Sequence, residues 1–265
     1  MPVALRGGTE TFWRSWGEGA AEVLLLHCSL AHSGAWEGFA RALGRPAVAF
    51  DAPGHGQSGP VDPGVDYQVQ NLRVAEDFLG NAPIDVVGHS FGATVALRLA
   101  AERPEAVRRL VLIEPVLFVA ARGLPAFDDH VASIRPFVAA MEAGDTVRAA
   151  RYFTAMWGTG VTWEEMRAEK QQSLAEQIHI IAAQDAALFQ DSAGMVAPGR
   201  LEAIGTPTLL LAGGLSPPIV HAVQDELEAR MPETERVVVP GAGHMVPITH
   251  AKAVAEVVSG FLSAG

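Results

Sequence analysis

One cysteine, Cys28, stands among 265 residues. It excludes an internal disulfide framework and suits a reducing compartment, so a cytoplasmic protein is expected. Basic residues are short as well: 19 Lys and Arg face 30 Asp and Glu, a formal net charge of -11. With no basic patch to hold a phosphate backbone, no nucleic-acid partner is expected. No apolar run is long enough and free enough of charge to span a bilayer, and residues 1–19 carry no apolar leader core, so no membrane partner is expected. Internal repeats, low-complexity tracts and long linkers are missing too. What remains is a soluble chain, 49% hydrophobic, long enough for one large α/β domain or two small ones.

Short apolar runs that end in glycine, proline or a polar residue recur at 23–27, 47–51, 84–88, 110–114, 208–213 and 236–240. They read as buried strands. Between them lie segments with apolar spacing of three and four, at 36–43, 69–79, 93–101, 219–231 and 251–262, which read as helices. Alternation of this kind predicts an α/β fold: a mostly parallel central sheet with helices on both faces. From 116 to 199 the strand signal vanishes and helices are expected at 132–142, 147–156 and 163–183. The predicted organisation is therefore a core formed by 1–115 and 200–265, interrupted by a helical block at 116–199.

The run at 84–88 stops at Gly88-His89-Ser90-Phe91-Gly92 and passes directly into the helix-like segment that follows. A serine on a sharp strand-to-helix turn has its hydroxyl lifted clear of the sheet edge, and glycine two residues to either side removes side chains that would collide there. Ser90 is the candidate nucleophile. A hydroxyl needs a general base within hydrogen-bond reach. Of nine histidines, His244 is the choice, because it follows Gly241-Ala242-Gly243 in a loop after the last strand and comes after the serine in the chain. The other histidines show no paired ligand spacing, so no metal is expected.

Four segments together resemble the α/β-hydrolase fold family: LLLHCSLAHSGAW at 24–36, FDAPGHGQSG at 50–59, VVGHSFG at 86–92 and PGAGHMVP at 240–247. The resemblance covers nearly the whole chain and implies an α/β-hydrolase fold in which the block at 116–199 is a helical cap over the active site. It also points to His244 as the base and implies turn-holding roles for His27, His55, His89 and Asp51. In that family the acid most often follows the strand seen here at 208–213. This chain departs from the pattern, with Ser216 near the expected place and no carboxylate. Among strand ends between Ser90 and His244 only Glu114 supplies one. Some relatives in the family, haloalkane dehalogenases among them, are similar in placing the acid there, so Glu114 is the candidate third member.

An oxyanion needs fixed N–H donors. One is expected from Phe91, directly after the nucleophile, and the resemblance assigns the second to Ser29, with Leu30 as the alternative. Cys28 replaces the glycine common in that loop and reads as a buried apolar residue. Trp36, Trp157 and His179 are candidates to line the substrate pocket, beside Phe91, Phe153 and Met156. The expected activity is that of a serine hydrolase that cleaves a carboxylic ester through an acyl-enzyme, on a small-molecule substrate and without a cofactor. Thioesters, lactones and carbon–carbon bonds suit the same constellation. A non-catalytic ligand-binding protein is the rival from another class, favoured by the missing acid after 213 and opposed by Ser90 and His244.

Overall fold

The computed structural model describes residues 2–264. Its strands are β1 (Val3–Arg6), β2 (Thr9–Trp16), β3 (Val23–Leu26), β4 (Ala47–Phe50), β5 (Ile84–His89), β6 (Val107–Ile113), β7 (Thr208–Gly213) and β8 (Thr234–Val239). They form one sheet in the order β1-β2-β4-β3-β5-β6-β7-β8, parallel from β4 to β8. β2 pairs antiparallel with both β1 and β4, so among the described strands β2 alone runs against the rest.

The helices are α1 (Glu37–Leu43), α2 (Tyr67–Glu76), α3 (Phe91–Glu102), α4 (Pro125–Ser133), α5 (Arg135–Glu142), α6 (Thr146–Trp157), α7 (Ala168–Gln177), α8 (His179–Ala182), α9 (Asp185–Leu188), α10 (Pro218–Arg230), α11 (Val246–Thr249) and α12 (Ala251–Ser263). None is long and apolar enough to cross a membrane.

The near-continuous apolar runs of the central strands follow from burial on both faces. Successive side chains point to opposite sides of a strand. Leu24 and Leu26 of β3 therefore join Val86, Leu97, Leu110 and Leu210 in one core cluster with α2, α3 and α10. Val23 and Leu25 join Phe39, Val87, Val111 and Val258 in the other, with α1 and α12.

The N-terminal hairpin lies outside the strands expected from the apolar runs. β1 is short and mostly exposed, and β2 mixes Thr, Glu, Arg and Ser with its aromatic residues, so no apolar run marks them. Gly7 and Gly8 supply the turn, both with positive φ (52° and 85°), the backbone that a two-residue hairpin requires. That Gly-Gly pair is the signal that identifies the hairpin in the sequence.

Between β6 and β7 the described residues contain helices and no strand. Ala140 of α5, Ala149 and Ala150 of α6, and Leu174, Ala175 and Ile178 around α7 form a small apolar cluster of their own. Leu30, from the loop after β3, is the core residue that enters it.

Candidate active site

The turn from β5 to α3 holds Ser90 at φ 56° and ψ −118°, in left-handed space that side chains rarely occupy. The Ser90 amide donates to the Ile113 carbonyl at 2.9 Å, which ties the elbow to the neighbouring strand end. A Cβ at Gly88 would collide with the backbone of Gly92 and Ala93, and one at Gly92 with the carbonyls of Leu26 and His27. Both glycines are therefore required by close backbone approach.

Ser90 Oγ lies 2.9 Å from His244 Nε2, and His244 Nδ1 lies 2.8 Å from Glu114 Oε2. A carboxylate only accepts, so Nδ1 carries the proton and Nε2 is left to accept from the serine hydroxyl. All three residues are buried. Glu114 has positive φ (54°) at the end of β6, and its amide donates to the Leu211 carbonyl at 2.8 Å. Its second oxygen, Oε1, accepts from the Gly213 amide and the Ser216 hydroxyl, each at 2.6 Å. Burial alone raises the Glu114 pKa, but hydrogen bonds from His244, Ser216 and Gly213 together bring it below the ordinary value. The carboxyl is thus held ionised without solvent. His89 fixes the loop that carries His244: its Nε2 donates to the His244 carbonyl at 2.9 Å.

The loop after β3 is held by two histidines. His27 Nε2 accepts from the Ala52 amide at 2.9 Å, and its Nδ1 donates to the Cys28 carbonyl at 2.7 Å. His55 Nε2 accepts from the Leu30 amide at 3.0 Å, where Leu30 itself sits at φ 59°. Leu30 is thereby engaged, whereas the Ser29 amide donates to no described residue. The Phe91 amide opens α3, ahead of that helix's hydrogen-bond ladder. Burial raises the Cys28 thiol to about 12, which leaves it protonated and unreactive. Asp51 accepts from the Ser33 amide at 2.7 Å and the Gln57 amide at 2.8 Å, a loop-shaping use of its carboxylate.

Ser29 and Ser90 line a cavity of about 720 Å³. Phe118, Met156, Trp157 and Phe189 supply much of its apolar wall. Trp157 touches His244 with ring centroids 4.6 Å apart. Three expected pocket residues stand elsewhere, Phe91 among them, stacked on Tyr67 in the core at 5.2 Å. Trp36 is buried behind the site against Phe39 and His89, because α1 packs on the opposite face of the sheet. His179 is exposed, with its Nδ1 turned onto the Glu176 carbonyl of the preceding helical turn at 2.8 Å.

Sequence reasoning passed over two polar lining residues. Gln184 is buried, and its Oε1 accepts from Ser29 Oγ at 2.9 Å, so the segment between β6 and β7 is tied to the loop after β3. His130 of α4 also lines the cavity. No set of three or more His, Cys, Asp or Glu side chains is arranged to hold a metal among the described residues.

A model of the alpha/beta hydrolase family matches residues 23–257. The chain is similar to Esterase Rv0045c of Mycobacterium tuberculosis, 30% identical over 262 residues that cover 93% of this chain and 84% of that protein. It is also similar to Lipase LipV of the same organism, 42% identical over 101 residues that span 37% of this chain and only 39% of the lipase. Among solved structures, a hydrolase from Pseudomonas aeruginosa superposes with a TM-score of 0.77 at 22% identity, over 99% of this chain and 98% of the other.

Proposed function

The chain belongs to the α/β-hydrolase family, and on that premise we propose that it is a serine hydrolase that cleaves carboxylic esters through an acyl-enzyme. The observation that carries this reading is the 2.9 Å contact between Ser90 Oγ and His244 Nε2, with Glu114 behind it at 2.8 Å. Relatives named as an esterase and a lipase support ester bonds as the target.

Ser90 Oγ attacks the ester carbon as its proton passes to His244 Nε2, and Glu114 stabilises the imidazolium. The developing oxyanion is met by the Ser29 and Phe91 amides. Collapse of this tetrahedral state breaks the bond to the alcohol, whose oxygen takes the proton back from His244. Water then enters, loses a proton to the same nitrogen and releases the acid and Ser90. The helical block at 116–199 acts as the cap that encloses the acyl or alcohol half. The buried free thiol fits a reducing compartment, and a cytoplasmic location belongs to the same reading.

A missing carboxylate after β7 is what favours a non-catalytic binding protein, and it loses its force once Glu114 stands within hydrogen-bond distance of His244. A fluorophosphonate probe tests the proposal. Labelling of the wild type and loss of labelling in Ser90→Ala are expected. A folded wild-type protein that neither labels nor hydrolyses p-nitrophenyl acetate overturns the reading.

A further inference from the structure

The cavity beside Ser90 is apolar along most of its wall, so an unpartnered polar group in that wall calls for a reason. His130, on α4, is such a group. It is 5% exposed, it lines the cavity, and its ring nitrogens hydrogen-bond to no described residue. Its carbonyl, by contrast, accepts from the Ser133 hydroxyl at 2.7 Å and from the Ile134 amide at 3.1 Å. The indole N–H of Trp157, which lines the same cavity, likewise donates to no described residue.

The rings around His130 are specific in arrangement. Phe118 lies 4.4 Å from it, Trp157 5.7 Å and Phe189 6.0 Å, the last within 4° of parallel. Phe118 and Phe189 touch each other at 4.9 Å. Trp157 continues this wall to His244. Flat rings gain from offset and edge contacts with such a surface beyond the area they bury. Nothing else in the wall explains an imidazole at its centre. A phenylalanine would fill the space without placing polar atoms on an apolar cavity wall.

Charge narrows the ligand further. The lining residues include Glu142 and Asp185 and no lysine or arginine, so a carboxylate or phosphate on the substrate meets repulsion without a partner. Burial lowers the His130 pKa to about 4, so the ring is neutral near pH 7 and offers one donor and one acceptor. A hydroxyl, itself donor and acceptor, is the complementary group.

We propose that His130 is a specificity-determining residue that hydrogen-bonds a hydroxyl on a flat, uncharged aryl group of the ester, with that ring lying on the Phe118–Trp157–Phe189 wall. The inference rests on the ester-hydrolase reading and deepens it by naming a substrate class, the hydroxyaryl esters. Two matched pairs test it: methyl cinnamate against methyl para-hydroxycinnamate, with the ring on the acyl side, and phenethyl acetate against para-hydroxyphenethyl acetate, with the ring on the alcohol side.

The wild type is expected to prefer the hydroxylated member of at least one pair in kcat/KM. His130→Phe, which keeps the ring and removes both nitrogens, is expected to reduce that preference about three- to tenfold. His130→Gln, which keeps a donor and an acceptor, is expected to retain part of it. A wild type without preference in either pair, or a preference that His130→Phe leaves unchanged, overturns the inference. Calorimetry on the wild type with phenylpropanamide and its para-hydroxy analogue reads the same discrimination without turnover or variants. Equal affinity for the two amides counts against His130 even if His130→Phe fails to fold. Failure of the ester reading is distinguishable, because it removes fluorophosphonate labelling at Ser90 while leaving the amide titration intact.

Discussion

Ser216 donates its hydroxyl to Glu114 Oε1 at 2.6 Å, on the side of the carboxylate turned away from His244. Ser216, which follows β7, therefore holds a carboxylate that follows β6, the one proposed to act as the acid. This clamp decides what a Glu114→Gln substitution does. Both Ser216 and the Gly213 amide donate to Oε1, so the glutamine must present its oxygen to them and its NH2 to His244 Nδ1. Nδ1 must then accept, and Nε2 carries a proton towards Ser90 in place of a lone pair. A fall in kcat of about four orders of magnitude is expected, with KM little changed. Activity within tenfold of wild type in a folded variant would remove Glu114 from the mechanism.

Ser216→Ala removes one charged hydrogen bond and leaves the Gly213 amide in place. A loss of about tenfold in kcat is expected, far milder than for Glu114→Gln. Parallel steady-state kinetics on the two variants checks the ordering. A Ser216→Ala enzyme as impaired as Glu114→Gln would mean that the hydroxyl takes a direct part in the chemistry.

Gly92→Ala puts a methyl group against the carbonyls of Leu26 and His27, where backbone has no room to yield. Urea unfolding is expected to show a loss of about 1–3 kcal/mol, and labelling of Ser90 is expected to weaken as the elbow shifts. A variant of unchanged stability and activity would contradict the close packing of α3 on β3.

His55→Phe releases the Leu30 amide, which His55 Nε2 holds at 3.0 Å, and leaves a buried donor unpaired. The neighbouring Ser29 amide then loses its fixed direction. Stability is expected to fall by about 1–3 kcal/mol. The kinetic signature is a lower kcat at similar KM, since an oxyanion donor acts in the transition state. An effect confined to KM would place His55 in substrate binding instead.

Acid is expected to destabilise the fold well before most carboxylates titrate. Burial, the largest cause in each, lowers the pKa of His27 to about 4 and those of His55 and His89 to about 3, from an ordinary 6.5. Between these values the unfolded chain binds protons that the folded one refuses. Their contribution is complete above pH 6.5 and is lost progressively as pH falls towards 3. Urea midpoints should drop from pH 7 to pH 5. His89→Gln should flatten the slope by up to about 1.4 kcal/mol per pH unit. Equal slopes in the two proteins would show that His89 titrates alike in both states.

The parallel strands were legible because each is an apolar run short enough to be read without its neighbours. Ser90 and His244 were legible as positions because glycine marks the turns that carry them. Glu114 was reached by elimination among strand ends, and its clamp by Gly213 and Ser216 depends on β6 and β7 pairing side by side, which no local pattern encodes. The pocket was the least legible part. Trp36 and His179 are aromatic residues near suggestive segments, yet one faces the opposite side of the sheet and the other faces solvent. His130 and Gln184 enter only through the way α4 and the turn before α9 fold over Ser90.

Glu114 stands directly after β6, where the chain leaves the sheet for its helical insert, and it is met by Gly213 at the end of β7 and Ser216 just past it, where the chain has returned. One carboxylate thus fastens the two ends of that excursion together at the sheet. In the proposed arrangement the insert at 116–199 carries none of Ser90, Glu114 and His244, so it can change while they stay, provided the seam stays closed. In that arrangement selectivity and turnover are written on separable stretches of chain, joined at this buried knot and at the hydrogen bond from Ser29 to Gln184.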